Sequence, residues 1–420
     1  MALRSTWKSI AAVVLVSGLV LSGCSKESTG SSSGGNSNEG GHGPITYAMG
    51  KVDSEKLQHV IEKWNSVHPD EKVTFKELAG EADDQRDSLV QTLQAGRDDI
   101  DVMALDVVWT AEFAANQWLA PLEGDLAVDT SGLLQSTVAS GTYNNKLYAL
   151  PQNTNGQLLY RNTEVMPESP QTFQELVDSC SKAKDAKQEC LTLQLKQYEG
   201  LTVNTIGFME GWGGKVLDDS GKPVVDSENS KAGLKALVDA YTAGNISKDS
   251  TSTTEEETAQ AFTEGKTAYA INWPYMFDLA GKDPSKVKDK FEVQPLVGKD
   301  GVGVSTLGGF NNGINVNSKH KATAKDFIEF VINEENQTYF AENSFPPVLA
   351  SVYDDQALIE KYPYFPALKQ SLENAVPRPA SPFYPKISKA IQDNAYAALT
   401  AGKSVDDATK DMKAAIEAAK

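Results

Sequence analysis

The sequence predicts an α/β protein built as two lobes, and three observations carry that prediction. From Ile45 to Leu105 the apolar spacing alternates between strand and helix periods. Such a β-α-β-α-β series requires a mostly parallel sheet. The chain has 420 residues, 23% of them charged, enough for two cores. Polar, glycine-punctuated stretches at 152–156 and 307–313 lie beside apolar extended segments, as chain crossings between lobes would.

Ile45–Met49 reads as the first strand, and Ser54 can cap a helix to about Val67 with Leu57, Val60, Ile61 and Trp64 at helical spacing. Lys72–Leu78 is a second strand, and a helix through Leu89, Val90 and Leu93 leads to a third, Ile100–Leu105, apolar enough to be buried on both faces. Extended segments follow at 146–151 and 157–160. Helices are predicted at 172–184, 231–242 and about 255–263, with strands at 191–195 and 267–273. Leu307–Gly313 precedes a strand at 314–317. The remainder is largely helical, at 322–332, 334–342, 356–361, 366–374, 384–401 and 405–419. Val376–Pro382 carries three prolines and must be a fixed loop.

Arg4 and Lys8 precede an apolar run from Ile10 to Leu21, a pattern of export signals that is too short for a stable membrane span. The ending Leu21-Ser22-Gly23-Cys24 resembles a bacterial lipobox, in which Cys24 is lipidated and residues 1–23 are removed. That removal takes away two positive charges and turns the formal charge from −18 to −20. Ser25–Gly43, rich in Ser, Gly and Asn, is a tether spanning about 25 Å. Its Gly30–Gly34 run matches a nucleophile motif but follows no strand, so it is set aside. Cys180 and Cys190 remain as a pair in an exported chain, which favours a disulfide.

The acidic balance argues against nucleic acid, whose phosphates need a basic surface. The four histidines are scattered, so no metal site is expected. Gly402-Lys403-Ser404 and Gly265-Lys266-Thr267 lack the earlier glycine of a phosphate loop, Ala397 and Gln260 standing there instead. Chemistry gathers instead at element ends: Asp106 with Trp109, Asn153 and Asn155, Glu255–Glu257, Asn272 with Trp273 and Tyr275, and Arg378. Carboxylates, amides and a guanidinium fork match the vicinal hydroxyls of a neutral sugar, and its C–H faces pack on indole. Each has a structural reading too. Asp106 could only cap a helix, Trp273 could be core, the asparagines could satisfy turns, and the glutamates could form a solvated first turn. Arg378 among prolines is harder to dismiss, because a rigid loop restricts its fork.

The blocks Asp101–Ala114, Asn145–Ala149, Thr154-Asn155 with Gln157-Leu158-Leu159, Glu199-Gly200-Leu201, Asn272-Trp273-Pro274, Gly308-Gly309 and Arg378-Pro379-Ala380 with Pro382 resemble the family-one extracellular solute-binding proteins of ABC importers. More narrowly, they are similar to actinobacterial trehalose-binding lipoproteins. The resemblance spans the mature chain and implies a type II periplasmic-binding-protein fold with discontinuous lobes, 44–152 plus about 310–345 and 156–306 plus about 346–420. Crossings are expected near 152–156 and 306–312, with a further candidate at 344–350. It implies sugar contacts from Asp106, Asn155, Trp273, Arg378, the backbone near Gly309 and a glutamate of the Glu255/Glu256 pair. Met49-Gly50-Lys51 departs from the family pattern. The expectation is a monomeric, lipid-anchored receptor without cofactor. It would deliver a disaccharide, trehalose first and maltose or another α-glucoside second, to permease subunits served by a separate ATPase. The rival classes are a secreted glycoside hydrolase using Asp106 and a glutamate, and a binding module for peptide or a metal complex.

Overall fold

The computed structural model describes residues 41–419 apart from Asp53 and Asp219. The expected export signal, Cys24 and the expected tether up to residue 40 lie outside the described residues.

Two sheets organise the chain. The first has the order β2-β1-β3-β11-β6, from β1 (Ile45–Gly50), β2 (Val73–Leu78), β3 (Val102–Asp106), β6 (Ala149–Asn155) and β11 (Gly308–Ile314). The short strands β4 (Thr142–Tyr143) and β5 (Lys146–Leu147) form a separate ribbon. The second sheet has the order β10-β7-β9-β8, from β7 (Leu158–Asn162), β8 (Glu189–Thr192), β9 (Thr267–Asn272) and β10 (Phe291–Pro295).

The β-α-β-α-β start forms as its periodicity requires, with α1 (Ser54–Val67) and α2 (Ala82–Gln94) connecting parallel strands. The expectation of a mostly parallel sheet needs correction beyond β3. Strand β11 runs antiparallel to both β3 and β6, and in the second sheet β7 is antiparallel to β9 and β10. Strands returning from distant segments need no helical crossover, so the parallel rule does not bind them.

Each sheet has its own apolar packing. Tyr47, Leu57, Val60, Trp64 and Phe327 cover one face of the first sheet, and Met103, Leu105, Leu89 and Phe113 the other. Leu191, Leu201, Leu237, Tyr269 and Ile391 pack beside the second. The helices there include α5 (Phe173–Asp185), α6 (Glu199–Gly211), α7 (Glu228–Ala243), α14 (Tyr384–Thr400) and α15 (Val405–Glu417). Cys180 and Cys190 are disulfide-bonded, tying α5 to β8.

Three differences from expectation bear on the cavity. The polar stretch after Pro151 is strand, because β6 continues through it to Asn155. The glycine-rich piece at 308–313 is itself β11 rather than the approach to a strand. Its glycines answer to crowding: a Cβ on Gly313 would lie 2.8 Å from Leu105 Cδ1, and one on Gly309, where φ is +121°, 2.3 Å from the Asn153 carbonyl oxygen. Helix α6 has no counterpart in the periodicity. It is buried on nearly every side, so it shows no polar face, and three glycines interrupt it.

Gly233 of α7 lets that helix lie against α6, since a Cβ there would meet the Phe208 carbonyl oxygen at 2.3 Å and Met209 Cα at 2.6 Å. Backbone cannot step aside as a side chain can, so Gly233→Ala is expected to cost about 1–3 kcal/mol. Urea unfolding checks this; an unchanged midpoint would contradict the close packing.

Candidate functional site

A cavity enclosing about 720 Å³ of empty space, mouth included, lies where elements of the two sheets face each other. That is within the usual size of small-molecule sites. Asp106, Asn155, Glu255, Trp273, Gly309 and Arg378 all line it, together with Gln85, Tyr198, Glu199, Tyr275 and Gly308.

Asp106 ends β3, where strand ends in α/β sheets meet ligands. Its Oδ1 accepts from the Val108 N–H at 3.2 Å and from Arg378 Nη2 at 2.8 Å. One oxygen thus holds both the local turn and the guanidinium. Asn155 ends β6 opposite Gly308. Gly308 has no side chain, and a Cβ there would lie 2.9 Å from Trp273 Cζ3, so the indole rests against bare strand.

On the facing side, Asn272 at the end of β9 acts as a bracket. Its Oδ1 accepts the Trp273 N–H at 2.8 Å, and its Nδ2 donates to the Glu255 carbonyl at 3.0 Å. The three glutamates that open α8 (Glu255–Thr263) divide their tasks by helical phase. Glu257 closes a capping box with Thr254. Glu256 sits at the rim, paired with Lys51 at 3.1 Å. Glu255 faces the cavity, its carboxyl receiving the Tyr198 hydroxyl at 2.6 Å and the Trp273 side chain. Of the candidate glutamate pair, the cavity wall therefore contains Glu255 and not Glu256.

Arg378 is almost wholly buried. The proline loop is pinned by Val376, whose N–H donates to Ser305 and whose carbonyl accepts from Leu307. The fork spans two carboxylates, Nη2 to Asp106 and Nη1 to Glu199 Oε1 at 2.6 Å. Burial works against its charge, but Asp106, Tyr384 and Glu199 more than offset that and hold its pKa above the usual value. Glu199, the first residue of α6, also accepts from the Tyr384 hydroxyl and from Ser388 Oγ, the latter at 2.5 Å. Burial pushes its carboxyl up to about 7, opposed by Arg378 and reinforced by Asp106. Burial likewise raises Glu255.

Sequence reasoning missed Glu199, Tyr198 and Gln85 as wall residues. The first two flank the start of the unpredicted α6, and only the Glu199-Gly200-Leu201 motif marked the place. Gln85 lies against Gly50, where a Cβ would sit 2.3 Å from its Nε2. The unusual Met49-Gly50-Lys51 segment thus yields space to an amide from α2. Two other residues singled out are structural. Trp109 is core, stacked on Phe113, and the Asn153 side chain accepts the Phe310 N–H inside the sheet. Among the described residues one group of three metal-ligand types, His42, Glu71 and Asp326, comes together, and none of these lines the cavity.

Further contacts lace the rim: Lys196 pairs with Glu81, and the Glu199 N–H reaches Asp83 Oδ1 at 3.2 Å. Arg378→Ala would leave Asp106 and Glu199 facing each other without their shared cation. Loss of one partner from a buried ion pair costs about 3–5 kcal/mol. Urea unfolding should show a drop of that order, and an unchanged midpoint would contradict the bridge.

Comparison with known proteins gives this arrangement a family. The family model described as bacterial extracellular solute-binding protein matches residues 51–338. A probable ABC transporter-binding protein of Deinococcus radiodurans is 28% identical over 342 residues, 77% of this chain and 80% of that one. A probable amino-acid ABC transporter periplasmic-binding protein of Sinorhizobium fredii is 26% identical over 359 residues, 80% of each chain. Among solved structures, maltose-bound MalE3 of T. maritima superposes with a TM-score of 0.85 at 32% identity, covering 89% of this chain and 99% of that one. The GacH receptor of Streptomyces glaucescens has the same fold, with a TM-score of 0.81 at 22% identity over 90% of this chain and 98% of that one. These are binding proteins, so the glycoside hydrolase reading falls away, and among the described residues no helix is long and apolar enough to cross a membrane. The chain belongs to the bacterial extracellular solute-binding proteins, with the two-lobed fold of ABC-importer sugar receptors and no enzymatic role.

Proposed function

We propose that this protein is the lipid-anchored sugar receptor of an ABC importer, capturing a disaccharide, trehalose first, between its lobes and handing it to permease subunits served by a separate ATPase. One observation carries the sugar reading. Asp106, Asn155, Glu255 and Trp273 line one cavity. Carboxylates and amides accept and donate to vicinal hydroxyls, while indole packs against the C–H face of a pyranose.

The charge balance favours a neutral ligand. Among the described residues lining the cavity Arg378 is the one cation, and it is already engaged by two carboxylates, which disfavours the carboxylate of an amino acid or peptide. That weighs against extending the Sinorhizobium fredii relative's amino-acid name to this chain. Trehalose rests on the resemblance of Asp101–Ala114 and the later motifs to trehalose-binding lipoproteins. Maltose is the second reading, favoured by the maltose-bound MalE3 relative.

Anchoring rests on Leu21-Ser22-Gly23-Cys24, with the 24–43 segment lifting a monomeric body from the outer face of the membrane. The lobes divide near 152–156 and 306–312. Sugar contacts from both sides favour the closed arrangement only if they are made there.

A thermal-shift panel of trehalose, maltose, oligopeptides and chelated metals tests the class, since a ligand stabilises the state it binds. A rise with a disaccharide alone is expected; a rise with peptide or metal complex alone would overturn the reading. In calorimetry Trp273→Ala should weaken disaccharide binding by more than about 1 kcal/mol. Wild-type affinity in that variant would remove the indole from the site.

A further inference from the structure

Glu199 is a buried carboxylate that the sugar reading does not by itself require, and its surroundings give it a task. Its Oε1 accepts from Arg378 Nη1 and from the Tyr384 hydroxyl, and its Oε2 from Ser388 Oγ. Its own N–H, the first of α6, donates to Asp83 at the start of α2. The charged and titratable groups around it are therefore Arg378 from the proline loop, Asp106 from the end of β3, Tyr384 from α14 and Asp83 from α2. Gln392, a neutral amide, links Asp83 to Ser388. With Asp106 and Glu199 both ionised, one guanidinium faces two carboxylates and the buried group carries a net negative charge.

The wall around Oε2 can hold either form of the acid. Ser388 Oγ lies 2.7 Å from Thr202 Oγ1 and accepts from Gln392 Nε2 at 3.0 Å. A hydroxyl is both donor and acceptor and rotates to suit. When Glu199 is ionised, Ser388 donates to it. When Glu199 is protonated, Ser388 can accept a hydrogen bond from its O–H and turn its own O–H toward Thr202.

We propose that Glu199 is a positioning residue of the cleft: it holds the Arg378 fork toward Asp106, and it takes up a proton from solvent as the jaws close on the sugar, so that capture is tighter under mild acidity. This rests on the disaccharide reading above. With the jaws apart, Asp106 and Asp83 move away from Glu199, which keeps Arg378 to itself and the hydroxyls of Tyr384 and Ser388, all donors that favour the ionised form. Closure brings the like charge of Asp106 back and makes it share the guanidinium, and both changes favour the protonated form. The carboxyl at about 7 in this arrangement fits that direction. Closure then binds a proton below about pH 7, and by linkage affinity falls as pH rises through that value.

Titration calorimetry with trehalose and with maltose, repeated in buffers of different ionisation enthalpy, tests this. For the wild type, affinity should fall up to about tenfold from about pH 6 to about pH 8, with net proton uptake at the acid end. Glu199→Gln should flatten the profile and abolish the uptake. Tyr384→Phe, which removes a donor to the ionised form, should move the wild-type profile to higher pH, and it serves as the second variant if Glu199→Gln does not fold. A pH-independent wild type, or proton uptake that persists unchanged in Glu199→Gln, would overturn the proposal while leaving the sugar reading intact. Binding of neither disaccharide at any pH would overturn both.

Discussion

One guanidinium held between two carboxylates is the constraint on which the cleft depends. Asp106, Glu199 and Arg378 are far apart in the chain, and they reach the same point only because a strand, a helix and a proline loop all end there. A buried carboxylate pair without a cation would be costly, and a buried arginine without acceptors equally so. In this arrangement the bridge therefore joins the end of β3 to the start of α6 on the cavity wall. The remaining wall is then an amide, an indole, bare glycine backbone and a glutamate held by tyrosine.

β6 and β11 lie side by side in the first sheet, β6 carrying asparagines and β11 asparagines and glycines where a strand would ordinarily carry larger residues. Asn155, Gly308 and Gly309 therefore occupy the join between sheets, where small residues let Trp273 approach from the other side. The composition that makes these strands poor in local propensity is what lets two packed bodies meet closely at a polar cavity.

Much of this was legible in the sequence, for definite physical reasons. The opening strands and helices follow from apolar periodicity, and Asp106 from its place at the end of a strand buried on both faces. Arg378 stood out because prolines limit its loop. Which of two adjacent glutamates faces inward was not legible, because one residue is 100° of helix and the phase is set by how α8 packs on β9. Glu199 was hidden for a different reason. Its helix is buried all round, so it has no polar stripe and no pattern to read, and the acid at its first turn was passed over with it. β11 escaped for the same cause in reverse: glycines that look like a loop were there for close approach.

If residues of both sheets hold one sugar, a crystal structure of the protein with its disaccharide will show it. The expected density is a pyranose ring against Trp273, with hydroxyls within hydrogen-bond reach of Glu255 from the second sheet's side and of Asp106 and Asn155 from the first, and the Arg378 bridge intact. A sugar touching residues of one sheet alone, or seated away from Asp106 and Trp273, would contradict it.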